Sequence, residues 1–293
     1  WFNIPYTFTG LGVNNYILYV KDANNCSVTQ NVSITGPTPI TLTGPPTIVS
    51  VSCNGLSDGE IHVIATGGAG GLTYSIDGGL YQATGDFITL TGGDHTLNVK
   101  DLNNCIFTQI INIPEPAAIV FTTETKTDIT CNGAPPDGSI TLLASGGAGA
   151  FTYTVNPGAI VLTPGVGLPA VFTSLPVGSY SYLVTDGNGC SLASTTNLDI
   201  TEPLPFTFVS ATSTPINCNG DNSTVTLVTA GGTAPISYNL KDGGVYDQTN
   251  NGGVFPALPA GNYTYTITDK NTCATFTNVI PITQPAPIVI GAP

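Results

Sequence analysis

Cys53-Asn54-Gly55, Cys131-Asn132-Gly133 and Cys218-Asn219-Gly220 each open the same longer pattern, and that pattern decides how the chain is read. Asn-Gly is a turn dipeptide, as is the Asp58-Gly59 or Asp137-Gly138 that follows it in two copies. A run with period-two alternation comes next: Ile61, Val63, Ala65; Ile140, Leu142, Ala144; Val225, Leu227, Thr229. It stops each time at a glycine pair, Gly67-Gly68, Gly146-Gly147 or Gly231-Gly232, and an aromatic stands six residues beyond, at Tyr74, Tyr153 and Tyr238. A constant offset means a constant strand register. Self-similarity on this scale marks an array of one small module rather than an enzyme of 293 residues.

The last strand of the module is the most regular. Tyr16, Leu18, Val20 and Asp22 alternate down one face, as do His95, Leu97, Val99, Asp101; Tyr180, Tyr182, Val184, Asp186; and Tyr263, Tyr265, Ile267, Asp269. The opposite face is mainly Thr, Ser, Asn and Lys, so one face is buried and the other wet, as in an antiparallel sheet with a core on one side. A cysteine follows each Asp by four residues. The aromatic near the strand's start suggests a tyrosine corner.

Composition agrees. Charged residues make up 8% of the chain, while 35 Gly and 23 Pro leave no gaps long enough for helices, so the chain reads as all-β. With 41% apolar residues it is built to fold. A net charge of −13 excludes nucleic acid as a partner, because the electrostatic drive toward phosphate is missing. No apolar run is long enough to insert in a membrane, and Trp1-Phe2-Asn3-Ile4-Pro5 lacks the features of a signal peptide.

Residues 1–36 match only the later part of the module; complete copies run over 37–115, 116–202 and 203–285, and 286–293 open another. The junctions, such as Ile113-Pro114-Glu115-Pro116 and Ile200-Thr201-Glu202-Pro203-Leu204-Pro205, carry prolines that favour extended chain, so the expected form is an extended rod.

Seven cysteines fall into three pairs separated by 52, 59 and 55 residues, with Cys26 left over. The expected staples are Cys53–Cys105, Cys131–Cys190 and Cys218–Cys273, one per module, with Cys26 paired to a residue upstream of this segment. A staple closing a loop of that length is worth roughly 4 kcal/mol in the chain-entropy model and implies an oxidising, extracellular setting. Zinc is disfavoured: no Cys-x-x-Cys occurs, and His62 and His95 are not repeated in the other modules.

Cys-Asn-Gly, Asp-Gly, a strand ending in Gly-Gly, a strand running into Asp77-Gly78-Gly79, then Phe-x-x-Leu, Gly-x-Tyr, Val-x-Asp and a closing Cys: this order resembles the SprB repeat of giant cell-surface adhesins of gliding Bacteroidetes. The resemblance implies tandem Ig-like antiparallel β-sandwich modules, export through the type IX secretion system, and surface adhesion and gliding motility. Departures are local, at Pro157-Gly158, at Asp221-Asn222 and at His95.

The chemistry-bearing candidates are few. Asp22, Asp101, Asp186 and Asp269 are the acids that would hold calcium at module ends, but the junction position reads Gly36, Glu115, Glu202 and Gln284, without the second recurring acid such a site wants. The expectation is therefore turn capping and no cofactor, with calcium as the alternative. Tyr81 and Tyr246 follow hairpin tips, and facing the core is favoured over stacking on sugars. No catalytic motif appears, so no enzyme is expected. The divergent segment from Val155 to Val171 is where a module-specific pocket would lie. The expected function is a repeat segment of a giant extracellular adhesin, attached to the outer membrane through other regions and acting as stiff spacer and multivalent contact. Its partners would be an extracellular surface or polysaccharide, or neighbouring rods of the same protein, with motility and secretion machinery reached through other parts of the chain. The alternatives are a self-associating surface filament without adhesive role, or a glycan-binding module.

Overall fold

A computed structural model describes residues 6–291. The leading stretch from Trp1 to Pro5 and the last two residues of 286–293 lie outside the described residues. Among the described residues all regular structure is strand and all pairing antiparallel, and no helix is long and apolar enough to cross a membrane.

The segment 116–202 shows the module most clearly. Val120–Thr127, Gly138–Ser145 and Ala170–Leu175 form one sheet in that spatial order. Ile160–Leu162, Thr152–Asn156 and Gly178–Thr185 form the other, and Gly178–Thr185 pairs on its far side with Ser191–Ala193 and Leu198–Ile200. The inward faces of both sheets meet in one core of Ile140, Leu142, Tyr153, Val155, Phe172, Leu175, Tyr182 and Val184. Counting Ser191–Ala193 and Leu198–Ile200 as two pieces of one edge strand, three strands pack on four, with the first, second and fifth on one side, as in the Ig-like sandwich of the fibronectin type III kind.

The third complete copy repeats it. Thr207–Ser213, Ser223–Ala230 and Val254–Leu258 face Asp247–Asn250, Ser237–Lys241, Gly261–Thr268 and Thr275–Ile282 across a core that includes Leu227, Leu240, Phe255 and Ile267. The first complete copy belongs to the other of the chain's two compact units, 1–118, and has its own core around Ile61, Phe87, Leu97, Val99 and Ile113. Before it, Asn14–Lys21 and Ser27–Ile34 make a hairpin whose Val20 is exposed, whereas its counterparts Val99, Val184 and Ile267 are fully buried.

The recurring aromatics have defined partners. Tyr153 accepts the amide of Ala144 on its hydroxyl at 2.8 Å, Tyr74 accepts that of Ala65 at 3.1 Å, and the Tyr238 hydroxyl lies 2.7 Å from that of Thr229. Each reaches nine residues back and ties the third strand to the end of the second. The strand expected to be the module's last is followed past the cysteine by one more, such as Thr275–Ile282, and holds a tyrosine corner: the hydroxyls of Tyr16, Tyr180 and Tyr263 donate to the carbonyls of Gly12, Pro176 and Pro259, four residues upstream. His95 fills the same role, with Nε2 2.9 Å from the Thr91 carbonyl, and adds an ion pair to Asp77 at 2.7 Å.

Two glycine motifs divide the labour differently from expectation. In Cys-Asn-Gly the glycine has positive φ, 78°, 71° and 93° at Gly55, Gly133 and Gly220, and sits third in a turn closed by an amide three residues past the cysteine. Asp58-Gly59 and Asp137-Gly138 are not turn tips: Gly59 and Gly138 are buried and already begin a strand. A Cβ on Gly138 would stand 2.7 Å from the Leu175 carbonyl oxygen, so glycine is required by close approach. That approach occurs at a bulge where Ser174 takes a φ of 58°, as Thr89 and Ala257 do in the other copies at 59° and 57°. No sequence signal announces the bulge, since none of the three is glycine.

The His95–Asp77 pair makes the first complete copy pH-dependent. Burial pulls the His95 imidazole down, but the Asp77 hydrogen bond, the Thr91 carbonyl and the charges of Asp77 and Asp94 outweigh it and hold the pKa above the usual histidine range. Burial pushes the Asp77 carboxyl up, yet the hydrogen bonds from His95 and from the Thr96 amide leave it below the usual range. The histidine's contribution to stability is fully present below about pH 6.5 and is lost as pH rises through its raised value; the aspartate's is present above about pH 3.9 and lost in acid. Urea unfolding across this range should show 37–115 most stable in the window between, and His95→Tyr, which installs the residue of the other copies, should reduce the loss at higher pH, leaving the part due to His62, whose pKa Asp86 and Glu60 also raise. An unchanged slope in that variant would show that the pair does not set it.

Candidate functional site

The constellation that recurs lies at the two ends of the module. At one end, Asp186 accepts on one carboxylate oxygen the amides of Asn188 and Cys190, both at 2.9 Å, and on the other the amide of Ala148 at 2.8 Å. Asp101 does the same with Asn103, Cys105 and Ala69, and Asp269 with Cys273 and Thr233. Asp22 holds the amides of Asn24 and Cys26. The residue whose amide reaches the second oxygen always follows the glycine pair. Both glycines there have positive φ, and a Cβ on Gly147 would meet that oxygen of Asp186 at 2.7 Å. Backbone hydrogen bonds, the one from Ala69 foremost, hold the Asp101 carboxyl below the usual range. The four aspartates are thus turn caps, and among the described residues no three of His, Cys, Asp and Glu gather as a metal cluster.

At the other end, the Cys-Asn-Gly turn lies against the exit linker. The Gly133 amide donates to Glu202 Oε2 at 3.3 Å, Gly55 to Glu115 Oε1 at 2.6 Å and Gly220 to Gln284 Oε1 at 2.9 Å. Asn54 and Asn219 donate to the carbonyls of Pro116 and Pro285. The junction position, Glu115, Glu202 or Gln284, therefore fixes the opening turn to the chain leaving the module.

This arrangement overturns the expected staples. Five strands, Gly138–Ser145, Thr152–Asn156, Ile160–Leu162, Ala170–Leu175 and Gly178–Thr185, separate Cys131 from Cys190. An odd number of antiparallel passes leaves the two at opposite ends of the sandwich, and eight strand residues span roughly 26 Å at about 3.3 Å per residue. A disulfide needs Cα atoms within about 7 Å. Cys131 instead bonds Cys273, the closing cysteine of the next copy, with an S–S distance of 2.13 Å and Cα atoms 5.4 Å apart. Cys105 and Cys218 are free and exposed, so Cys53–Cys105 and Cys218–Cys273 do not form either; Cys26 is free and exposed as well. Cys53 and Cys190 are also disulfide-bonded. The notion of one disulfide within each module, with its stabilisation of the module's own fold, is corrected to a bond between modules.

Around the Cys131–Cys273 bond, Asn271 donates from Nδ2 to the Thr130 carbonyl at 2.9 Å and approaches Thr233 Oγ1 at 3.2 Å. A cleft beside it is lined by Asn132, Pro203, Pro205, Phe206 and Ala274. The two copies are thus joined twice, by the chain through Glu202-Pro203-Leu204-Pro205 and by the disulfide.

The remaining candidates lie elsewhere. Tyr246 packs edge-on against Tyr263 with centroids 5.8 Å apart and borders the core, while Tyr81 stays on the surface with the Lys100 ammonium 4.1 Å above its ring. The divergent segment forms the short strand Ile160–Leu162 and a shallow apolar groove along Val161, Pro164, Pro169 and Val171.

Comparison with known proteins agrees with the motif reading. The family model described as "SprB repeat" matches residues 46–80, 123–160 and 210–245, once in each complete copy. The chain thus carries three SprB repeats. Such repeats point to an adhesin-type module of an extracellular surface protein. No curated protein matches the chain. Among solved structures, similar ones include immunoglobulin domains 1–5 of Sidekick-1 (14% identity, 93% of this chain, 66% of that chain, TM-score 0.45). Others are the N-terminal eight Ig domains of Down Syndrome Cell Adhesion Molecule (10%, 93% and 51%, TM-score 0.24) and a tetra-tandem repeat in the extending region of a large adhesion protein (12%, 90% and 80%, TM-score 0.30). The chain thus spans about two thirds and one half of the first two, and at these TM-scores the fold rests on its own strand order.

Two outcomes follow for the SprB repeats. Peptide mapping without reduction should recover Cys131 linked to Cys273; recovery of Cys131 linked to Cys190 would refute the junction. Gly133→Ala places a side chain in open space and should cost only the left-handed backbone penalty, about 1–2 kcal/mol. Gly147→Ala adds a clash with the Asp186 cap and should cost a further 1–3 kcal/mol or so in urea unfolding; equal costs would mean the contact is slack.

Proposed function

We propose that these SprB repeats are a load-carrying segment of a long extracellular adhesin that serves attachment and gliding, delivered to the surface by the type IX system. The observation that carries this reading is the Cys131–Cys273 bond, which joins successive sandwiches where an enzyme or receptor would be expected to invest its special residues in a pocket. The recurrent buried polar groups, Asp101, Asp186 and Asp269, cap turns at the module ends, so what the repeat preserves is the geometry of connection. A string of such modules holds contact sites away from the cell and multiplies weak contacts along its length through effective concentration. Outer strand faces rich in Thr, Ser and Asn suit hydrogen bonding to a polysaccharide or other extracellular surface.

The test is tracking of beads coated with antibody against residues 37–285 on living cells that display the full protein. Movement of the beads along the cell, together with loss of attachment when the antibody blocks the repeats, is the expected result. Stationary beads on cells that still attach would replace this reading with that of a structural surface coat.

A further inference from the structure

We propose that Cys218 is a covalent docking site for the closing Asp-x-x-x-Cys loop of a further SprB repeat, so that each repeat in the array is stapled to its successor by its opening cysteine. This goes beyond the adhesive reading and does not depend on it.

Cys131 provides the first observation. It is the opening cysteine of its copy, and it is bonded to the closing cysteine of the next one, with Asn271 of that closing loop hydrogen-bonded to the carbonyl just before Cys131. Cys218 occupies the same position one repeat later. Its turn is closed by the Asp221 amide on the Cys218 carbonyl at 3.1 Å, as that of Cys131 is by Ala134 at 3.3 Å. Its Gly220 amide is held by Gln284 as Gly133 is by Glu202. Ile216, two residues before it, is buried in the core as Ile129 is. The acceptor end is therefore already assembled, and its thiol is exposed.

The second observation is the state of the closing loops. Cys105 sits in a turn with two of the bonds found at Cys273: the cysteine amide on the Asp carboxylate at 2.8 Å, and the residue before the cysteine donating to the Asp carbonyl at 3.1 Å. Asn103 stands where Asn271 stands. Yet Cys105 is a free, exposed thiol. A well-formed closing loop thus does not bond the opening cysteine of its own module, at Cys53 or, in the third copy, at Cys218. The partner that fits Cys218 is a closing loop of a different repeat, presented from the exit side where Gln284 and Pro285 lead away from the turn.

Bond formation is a two-electron oxidation. The two thiols lose two protons and form one S–S bond, and the electrons reduce the disulfide of a thiol–disulfide oxidant to two thiols.

The test lengthens the chain by one repeat. A second copy of residues 206–285 is fused after Pro287, in register with the Pro205–Phe206 junction, and marked by Thr212→Ser and Thr277→Ser so that its peptides differ in mass. After refolding in oxidised and reduced glutathione, peptide mapping should find Cys218 linked to the added copy's closing cysteine, with Cys131–Cys273 retained and the added opening cysteine free. Iodoacetamide should alkylate Cys218 in the original chain and not in the lengthened one. The proposal is overturned if, with Cys131–Cys273 formed, the added closing cysteine is bonded within its own copy, remains a thiol, or ends as a glutathione adduct. Loss of Cys131–Cys273 itself would overturn the pairing rule from which the proposal starts.

Discussion

One carboxylate organises each module. The closing Asp receives amides from its own turn on one oxygen and, on the other, the amide that follows the glycine pair at the end of the second strand. Charge-assisted bonds of this kind are stronger than neutral ones, and here they tie together two loops more than thirty residues apart in the chain. The glycine pair is positioned by the same contact, because a side chain there would displace the carboxylate. What emerges from the cap is a cysteine held in one orientation at the edge of the sandwich. Without that cap the closing loop would be a mobile thiol; with it, the loop is one half of a fitting.

The other half depends on a different economy of groups. The opening turn exposes its glycine amide because the positive φ turns it outward, and the linker residue Glu202, with Glu115 and Gln284 at the equivalent places, supplies the acceptor. Glutamate and glutamine serve equally because what is needed is a side-chain oxygen at a given reach, not a charge. The position recurs because its chemistry is that of a cap.

Much of this was legible in the sequence, and the limits of legibility are physical. Period-two alternation in Tyr180, Tyr182, Val184 and Asp186 names the buried face directly, since side chains in a strand alternate without ambiguity. The offset from Gly147 to Tyr153 fixes where the third strand lies, and the structure supplies its reason in the hydroxyl that reaches Ala144. The bulge at Ser174 is invisible because it is imposed by tertiary pairing against Gly138 and not by a residue that prefers that backbone. The pairing of cysteines is invisible to spacing in a different way. Cys131 lies 59 residues from Cys190 and 142 from Cys273, and chain-entropy favours neither strongly, since loop cost grows only with the logarithm of length. The deciding quantity is the parity of strand passes between them, which requires counting the short strand Ile160–Leu162 that the sequence marks only weakly.

Placing the disulfide between modules instead of inside them changes what redox chemistry controls. Each sandwich is held by its own core, twelve or so buried apolar side chains drawn from both sheets, and none of that packing is covalently tethered. Reduction therefore acts on the junction and leaves the modules folded. With the bond in place, bending or twisting at Glu202-Pro203-Leu204-Pro205 must strain a closed loop made of linker, opening turn, disulfide and closing loop. With the bond broken, the linker alone resists, and two prolines restrict φ without fixing the relative rotation of the sandwiches they join. An array built this way sets its stiffness at the junctions and its stability in the modules, so the two properties respond to different changes in sequence and surroundings.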